Sequence, residues 1–526
     1  MTAVTFKNVA SDAELTDWRG VAKRMAAVMQ FWLVNMVLLD PAVAALAAGN
    51  ADAGRDAEIE TLKQQLQELG QRIEVLENQR TAEQPGAINT NLETFQHLEQ
   101  QVKALAREHE LDREAVAAAA KRAPKISVGP NGFIASSADS NFVFRLDGVI
   151  QVDSRTFFND AAIRSNDGIL LRRARPIFQG TLYRDFDFNF TPDFAPSSGP
   201  TIFDAYGNYR FEPWLQVRSG KFKTPEGLEQ LQSDVNLTFN ERSLVSDLVP
   251  NRDVGLQLWG ECNGGLLSYA AGVFNGVGDA QNSSNTANNN EVEFAGRVFS
   301  QPFKNLDIPA LRSFGIGIGG TLENATLGTK DLPATTGGKR PGYATEGQQQ
   351  FFAYNATTVA GGEHWRLSPQ TYYYAGPLSL MGEYAISDQG VRNTATRAAA
   401  DLHHTAWEVT GGWILTGETA SFNGVTPRHP FNPHSGEWGA FQVVARYSEL
   451  DIDRAVFNGF ANPATSASSA KGWSAGLNWY LNLNLRLNAS FTQTMFTGGG
   501  GMGASAPATV TRQPENILFT RVQLAF

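Results

Sequence analysis

The feature that most restricts how this chain can fold is an alternation of apolar and polar side chains by twos that starts after Pro124 and recurs to the last residue. Between residues 142 and 155, one face carries Phe142, Phe144, Leu146, Gly148, Ile150 and Val152, and the other Arg145, Asp147, Gln151, Asp153 and Arg155. Successive side chains of a strand point to opposite sides, so the spacing predicts a strand with one oily face and one wet face. The pattern returns at 183–194, where Phe186, Phe188 and Phe190 oppose Asp185, Asp187 and Asn189. At 202–211, Phe203, Ala205, Tyr209 and Phe211 oppose Asp204, Tyr206, Asn208 and Arg210. Further copies run through 254–261, 267–275, 314–323, 378–387, 438–450, 473–481 and 483–491.

Two classes of link separate these segments. Glu212-Pro213 and Asn263-Gly264-Gly265 are short, whereas 278–290 and 498–507 are long excursions rich in Gly, Ser, Asn and Thr. Transmembrane barrels have short periplasmic turns, long outer loops and strands of about ten residues that alternate apolar-out and polar-in. The segments number about sixteen to eighteen, and closure with both termini on the inner side requires an even number. Leu518, Thr520, Val522, Leu524 and Phe526 share one face, and the sequence stops on that Phe. This is similar to the closing strand of bacterial outer-membrane barrels, whose terminal aromatic is read by the assembly machinery. The expected fold class is therefore all-β, an antiparallel transmembrane β-barrel, with a soluble array of β-sandwiches as the alternative.

Composition removes other classes. Beyond the N-terminus no apolar run approaches the roughly 20 residues a spanning helix needs. A net charge of -10 argues against a nucleic-acid binder, whose footprint would be basic. The single cysteine, Cys262, permits neither an internal disulfide nor a cysteine-built metal site.

Residues 1–48 read as an export signal. Arg19, Lys23 and Arg24 precede the apolar stretch 25–39, and Ala45-Leu46-Ala47 supplies small residues for cleavage. Gln30, Asn35 and Asp40 interrupt that stretch, an interfacial or spanning helix is the alternative, and Met25 stays open as a downstream start. Residues 49–123 are expected to be a helical, coiled-coil periplasmic segment. Ile59, Leu62, Leu66, Leu69, Ile73 and Leu76 alternate gaps of three and four, a heptad seam that needs a partner helix, unless it packs on its own domain. Ile at the first core position with Leu at the second favours two strands by itself, so the seam does not fix the number of chains. Gln84-Pro85-Gly86 ends this helix, and Leu92, Phe95, Leu98, Val102 and Leu105 start a weaker second seam.

Motifs for chemistry are weak. Gly472-Trp473-Ser474-Ala475-Gly476 matches a nucleophile elbow by letter, but an alternating strand follows where that motif needs a helix. Gly315, Gly317 and Gly320 lack the helix that would offer its N-terminus to a pyrophosphate. His403-His404, and His429 with His434, have no third ligand at fixed spacing. No catalytic residue, metal or cofactor is expected, and the chain does not read as an enzyme.

What remains is a row of charges. Arg173 and Arg175 share a face opposite Ala174 and Phe178 and should point into the lumen, because a charge on the lipid face costs about 2 to 4 kcal/mol at the midplane. Arg172 has the other parity and fits only a strand end, a bulge or a neighbouring subunit. Residues 223–253 lose the alternation and read as a long constriction loop that presents Arg242 or Arg252, with an outer loop covering the surface as the alternative.

Several motifs occur together: Phe144-Arg145-Leu146-Asp147-Gly148, Leu171-Arg172-Arg173-Ala174-Arg175, Gly220-Lys221-Phe222-Lys223-Thr224-Pro225-Glu226-Gly227-Leu228-Glu229, Glu241-Arg242 and Asn251-Arg252-Asp253-Val254-Gly255. With the N-terminal seam they make the chain resemble the bacterial phosphate-selective porin O and P family over most of 126–526. The resemblance implies a sixteen-stranded barrel over 124–526, a homotrimer, arginines along the channel and an inward loop at the constriction. It would place Arg172 and Arg173 in an arginine ladder and Asp204 in the central region. The candidate pore-lining or anion-binding set is Arg145, Arg155, Arg172, Arg173, Arg175, Asp204, Arg210, Arg218, Arg242 and Arg252.

One departure is plain: phosphate-selective members resemble each other in carrying lysines just after Gly-Leu-Glu, where this sequence has Gln230, Leu231, Gln232, Ser233 and Asp234. Asp147, Asp153, Asp185, Asp187 and Asp204 also mix with the basic residues, and a positive constriction is what a selective anion channel needs. The expected function is passive diffusion of small polar solutes and ions across the bacterial outer membrane, anion-preferring through the arginines. The alternative is a structural protein that ties that membrane to peptidoglycan through the coiled coil. Expected partners are membrane lipid, two further copies of the chain and small inorganic ions or polar solutes, and no nucleic acid.

Overall fold

The computed structural model describes residues 122–526 except 159–162, 164, 284–291, 326–341 and 502–509, together with 71, 75, 97, 100–108 and 110–115. The chain divides into two units, Met1–Ala115 and Val116–Phe526. In the first, 100–108 and 110–115 are helical, and Val102 and Leu105 of the second seam are exposed. The export segment 1–48 and the seam at 59–76, with the oligomerisation and tether readings built on it, lie outside the described residues apart from Gln71 and Val75, both helical.

The second unit is built of strands. A hairpin, β1 (Lys125–Gly129) and β2 (Gly132–Ser136), precedes β3 (Val143–Phe158), β4 (Gly168–Leu182), β5 (Phe186–Asp193), β6 (Thr201–Glu212) and β7 (Leu215–Lys223). After a long link come β8 (Arg252–Cys262), β9 (Leu267–Phe274), β10 (Glu293–Ser300) and β11 (Phe314–Ala325). A second small hairpin, β12 (Gly342–Ala344) and β13 (Gln350–Ala353), forms its own sheet. The chain ends with β14 (Thr358–Ala375), β15 (Leu378–Asn393), β16 (Ala399–Ile414), β17 (Ala440–Asp451), β18 (Ala467–Tyr480), β19 (Leu485–Gly498) and β20 (Glu515–Ala525).

Among the described residues, β3–β11 and β14–β20 make one closed antiparallel barrel of sixteen strands. β20 returns to β3 in the register Ile517↔Phe157 to Ala525↔Val149. Closure leaves no unpaired edge in hydrocarbon, where each orphaned backbone group would cost several kcal/mol. Outward positions such as Ile150, Leu171, Leu256, Ile316 and Val409 are exposed apolar side chains that fit a lipid surface. Phe142, Phe211, Trp214, Trp413 and Trp438 form an exposed aromatic belt at the end of the barrel where the turns are short.

Not every link at that end is short. Residues 301–313 and 415–439 are long. The second departs from the rule because it turns into the barrel, where the Phe422 ring packs on Tyr372 at 5.6 Å.

The interior is not uniformly wet either. Leu244, Val245, Leu248 and Val249 of the link 224–251 join Tyr343, Phe351 and Phe352 of the β12–β13 hairpin against Ala385, Val391, Leu402, Ala406 and Leu450 of β15–β17. Inward positions there are apolar because folded-in links, rather than water, cover them.

The seam of the barrel is clamped at Gly148, whose N–H donates to the Phe526 carbonyl at 2.9 Å while its own carbonyl accepts from the Phe526 N–H at 3.1 Å. A Cβ on Gly148 would lie 2.6 Å from Phe526 Cζ. Gly148→Val should therefore displace that ring, at about 1 to 3 kcal/mol of overpacking. The expected outcome is a clear loss of the folded, heat-modifiable form when the purified chain is refolded into detergent, partly restored by adding Phe526→Ala. An undiminished folded fraction in Gly148→Val would show that the contact does not matter for closure.

Candidate functional site

The link 224–251 lies inside the barrel. At its start, Glu383 of β15 accepts the backbone N–H groups of Leu228 and Glu229 at 2.9 and 3.0 Å, which satisfies the first donors of the short helix Leu228–Leu231. Gly319 of β11 makes room for this approach, since a Cβ there would come within 2.8 Å of the Glu226 backbone. Further on, the Asn240 carbonyl accepts from Arg521 of β20 and the Thr238 carbonyl accepts from Asn478 of β18 at 2.9 Å. The segment thus reaches across from the β7–β8 rim to the opposite wall. From below, Gln232 Nε2 donates to the Phe422 carbonyl of the link 415–439 at 2.8 Å.

Charge fastens this loop. Arg172 is the extra residue of a bulge, since Gln151 faces Arg173 and Val152 faces Leu171. It donates to both oxygens of Glu241, at 2.7 and 3.0 Å. Arg173 lies 3.2 Å from Asp234 and donates to Gln151, and Arg175 joins Asp193 at 2.6 Å and also Asp234. Arg242 reaches Asp234 at 2.6 Å, and Arg155 sits 3.6 Å from Glu241 and 3.7 Å from Asp153. Arg155, Arg172, Arg173, Arg175 and Arg242 therefore meet at two loop carboxylates rather than lining open space.

Burial alone would raise both of those carboxyls, which lie off the strands. Arg173, Arg242 and Arg175 instead pull Asp234 well below the usual range, and Arg172, Arg173 and Arg521 do the same to Glu241.

The other candidates lie apart. Arg252 pairs with Asp204 at 3.0 Å. Arg145 and Arg210 are partly exposed near the short-turn end, where each meets an aspartate of its own region, Asp147 and Asp187. Arg218 faces a cavity of about 510 Å³ between the loop and the wall of β5–β10. Its guanidinium carbon lies 4.6 Å from the ring centre of Tyr206, 4.7 Å from Trp259 and 5.5 Å from Phe222. Among the described residues no carboxylate pairs with it.

Several residues of the site escaped the sequence reading. Arg297 lines the same cavity, stacks over Phe299 at 4.5 Å and, among the described residues, donates only to the neutral Gln370. Arg521 donates twice to Asp153, at 2.6 and 2.7 Å, and reaches Glu241 at 3.0 Å. Arg446 holds Glu229 at 2.9 Å and Glu346 at 2.7 Å. Arg446 and Arg521 stand on segments whose alternation was read, so parity alone would have marked them inward. Arg297 stands on β10, a strand the alternation missed.

The motifs set aside for chemistry fall on strands. Ser474 is on β18 and bonds Glu346 and Thr492, and Gly315 and Gly317 of β11 leave space for the Phe299 ring. His404 of β16 bonds the Tyr354 hydroxyl at 2.7 Å, and His403 lies 3.1 Å from Asp388. Among the described residues no group of three or more His, Cys, Asp or Glu is placed to hold a metal ion.

A family model described as phosphate-selective porin O and P matches residues 144–497. Porin O of Pseudomonas aeruginosa is 24% identical over 396 residues, covering 69% of this chain and 85% of its own length. Two solved structures are similar in fold: the outer membrane channel DcaP of Acinetobacter baumannii (TM-score 0.46, 10% identity, 75% of this chain and 99% of that one) and an anion-selective porin from Comamonas acidovorans (TM-score 0.45, 12% identity, 73% and 100%).

Proposed function

Because this chain belongs to the phosphate-selective porin O and P family, we propose that it is a passive-diffusion channel of the bacterial outer membrane that prefers anions without a dedicated phosphate site. Membership places the protein in that membrane and supports its reading as a channel. The observation that carries the finer reading is the cavity beside the inward loop. Its lining includes Arg218, Lys223, Arg252 and Arg297 against two carboxylates, Asp204 and Glu261. Lys223 fastens the loop through the carbonyls of Leu231 and Gln232, and Arg252 is countered by Asp204. Among the described residues Arg218 and Arg297 form no direct ion pair, although Asp204 and Asp187 act on the first and Glu383 on the second through the field, and low-dielectric walls focus the remaining positive charge on the path.

Against phosphate selectivity stands Asp234, which follows the Gly-Leu-Glu motif and counters Arg173, Arg175 and Arg242. The bare apolar outer face suits lipid or further copies of the chain, and we take the assembly to be the homotrimer the family resemblance implies. Cell-wall attachment through 49–123 is a separate reading that rests on sequence alone.

The test is the reversal potential of the purified protein in a planar bilayer under a salt gradient. Wild type should favour chloride over potassium, and Arg218→Gln with Arg297→Gln should remove most of that preference. The difference should be largest in dilute salt, since the Debye length is about 10 Å at 0.1 M and about 3 Å at 1 M. A cation-preferring wild type would overturn the anion reading.

A further inference from the structure

We propose that the cavity beside the inward loop is a binding station for aromatic carboxylates, with Arg218 taking the carboxylate and Trp259 the ring. The proposal rests on the reading of the chain as an anion-preferring channel and names the solute class that this path favours.

The argument starts from where free positive charge is found. The dense arginine cluster at Asp234 and Glu241 carries its own counter-charges and offers a small anion little. Arg218 is different in two respects. Among the described residues it makes no direct ion pair, Asp204 and Asp187 acting on it only through the field, and three aromatic ring centres lie within 5.5 Å of its guanidinium carbon. Rings occupy the faces of a guanidinium and leave its N–H groups in the plane, where a carboxylate can accept two bonds at once. Arg218 Nε is buried and without a hydrogen-bond partner among the described residues, so it is the two terminal nitrogens that would meet the carboxylate.

An arginine among rings discriminates by hydration. Phosphate and acetate hold water tightly and recover little of it beside Tyr206 and Trp259. An aromatic acid brings an apolar body that gains by leaving water, and offset or edge-on contact with a ring adds to that. Trp259 is held in place for this contact because its indole N–H donates to Asn208 Oδ1 at 2.8 Å. Arg297 lines the same wall over Phe299 and, among the described residues, bonds only the neutral Gln370, so a second polar group on the solute meets a second cation. The cavity, about 510 Å³, has the size of a small-molecule site. It remains part of an open path, so occupancy should be brief, as conduction requires.

The experiment uses the purified full chain in planar bilayers, with chloride current titrated by sodium benzoate, sodium acetate and sodium phosphate at pH 7. For wild type, half-block by benzoate is expected at a concentration about tenfold below acetate, with phosphate no stronger than acetate. Trp259→Leu should bring the benzoate-to-acetate ratio close to one, whereas Trp259→Phe, which keeps a ring face, should retain most of it. Arg218→Gln should weaken block by benzoate and acetate alike. Equal block by benzoate and acetate in an anion-preferring wild type overturns the aromatic-carboxylate station alone, as does strongest block by phosphate. A cation-preferring reversal potential overturns instead the reading beneath it. The wild-type ratio decides the matter even if the Trp259 variants fail to fold.

Discussion

Single-channel conductance should rise severalfold, and anion preference should rise with it, when Asp234 and Glu241 are both replaced by alanine. Each carboxylate is nearly buried and holds more than one guanidinium: Asp234 those of Arg173, Arg175 and Arg242, and Glu241 those of Arg172 and Arg521. Removing one partner of a buried pair costs about 3 to 5 kcal/mol, because the other charge stays in a dry place without compensation. Against that loss, the limb 232–242 has the burial of Leu237 and Phe239, at about 1.5 to 3 kcal/mol each. The electrostatic loss is the larger, so this limb should leave the lumen. The limb 244–249 should stay, because Leu244, Val245, Leu248 and Val249 sit in the apolar cluster against β15–β17.

Arg172 and Arg173 of the wall would then face the channel without their loop carboxylates, which is why selectivity should move with conductance. Unchanged conductance from a folded double variant would show that 232–242 does not limit the path.

The sign of the pH dependence follows from the same contacts. Both carboxyls are held below their usual range, from unfolded values near about 3.9 for Asp and about 4.3 for Glu. Their contribution is therefore complete above those unfolded values and is lost only as the pH falls through the lowered folded ones. Acidification from neutral to about pH 4 should accordingly leave these two fastenings intact, read as unchanged protease resistance of the limb 232–242.

The barrel itself was legible wherever one face met lipid and the other met water or polar side chains. Ile150, Phe144 and Phe142 stand outside and Asp147, Gln151, Asp153 and Arg155 inside, as alternation requires. Four barrel strands escaped notice for local reasons. β14 carries Gly361-Gly362, Pro369 and three consecutive tyrosines, β16 places His403 beside His404, β10 sets Ala295 and Phe299 on the same face as Arg297, and β7 sets Phe222 on the same face as Arg218. Parity also could not show that inward positions on β15–β17 would be apolar, since what covers them arrives from residues 244–249 and 343–352.

The site was half visible for a related reason. Alternation tells which way Arg173 points but not what lies opposite, and the loop that supplies Asp234 and Glu241 has no period from which a register could be read. Pairings such as Arg172 with Glu241 or Arg521 with Asp153 are fixed by three-dimensional closure and by packing of the loop, neither of which leaves a mark in the local sequence.

Arg446 of β17 is the strongest case of such an unread residue, and Arg446→Ala should be among the most damaging single changes in the chain. The side chain is 1% exposed, its two terminal nitrogens hold Glu229 and Glu346, and it also donates to the Glu241 carbonyl at 2.9 Å. Its guanidinium carbon lies 4.5 Å from the Phe239 ring centre. It therefore joins the short helix Leu228–Leu231, the limb 232–242 and the turn after β12 to one strand. Alanine would leave Glu229 and Glu346 buried and facing each other, with a loss of about 3 to 5 kcal/mol. The temperature at which the folded form converts on gels should drop by several degrees, and the inward loop should become open to protease. A buried ion group is costly to break singly but often nearly neutral to replace whole. Arg446→Met combined with Glu229→Gln and Glu346→Gln should therefore recover most of the lost stability. A single alanine variant as stable as wild type would mean that packing alone holds the loop. A triple variant no better than the single one would place the loss in the arginine's own hydrogen bonds, that to the Glu241 carbonyl included, since methionine restores most of the volume and the glutamines remove both charges.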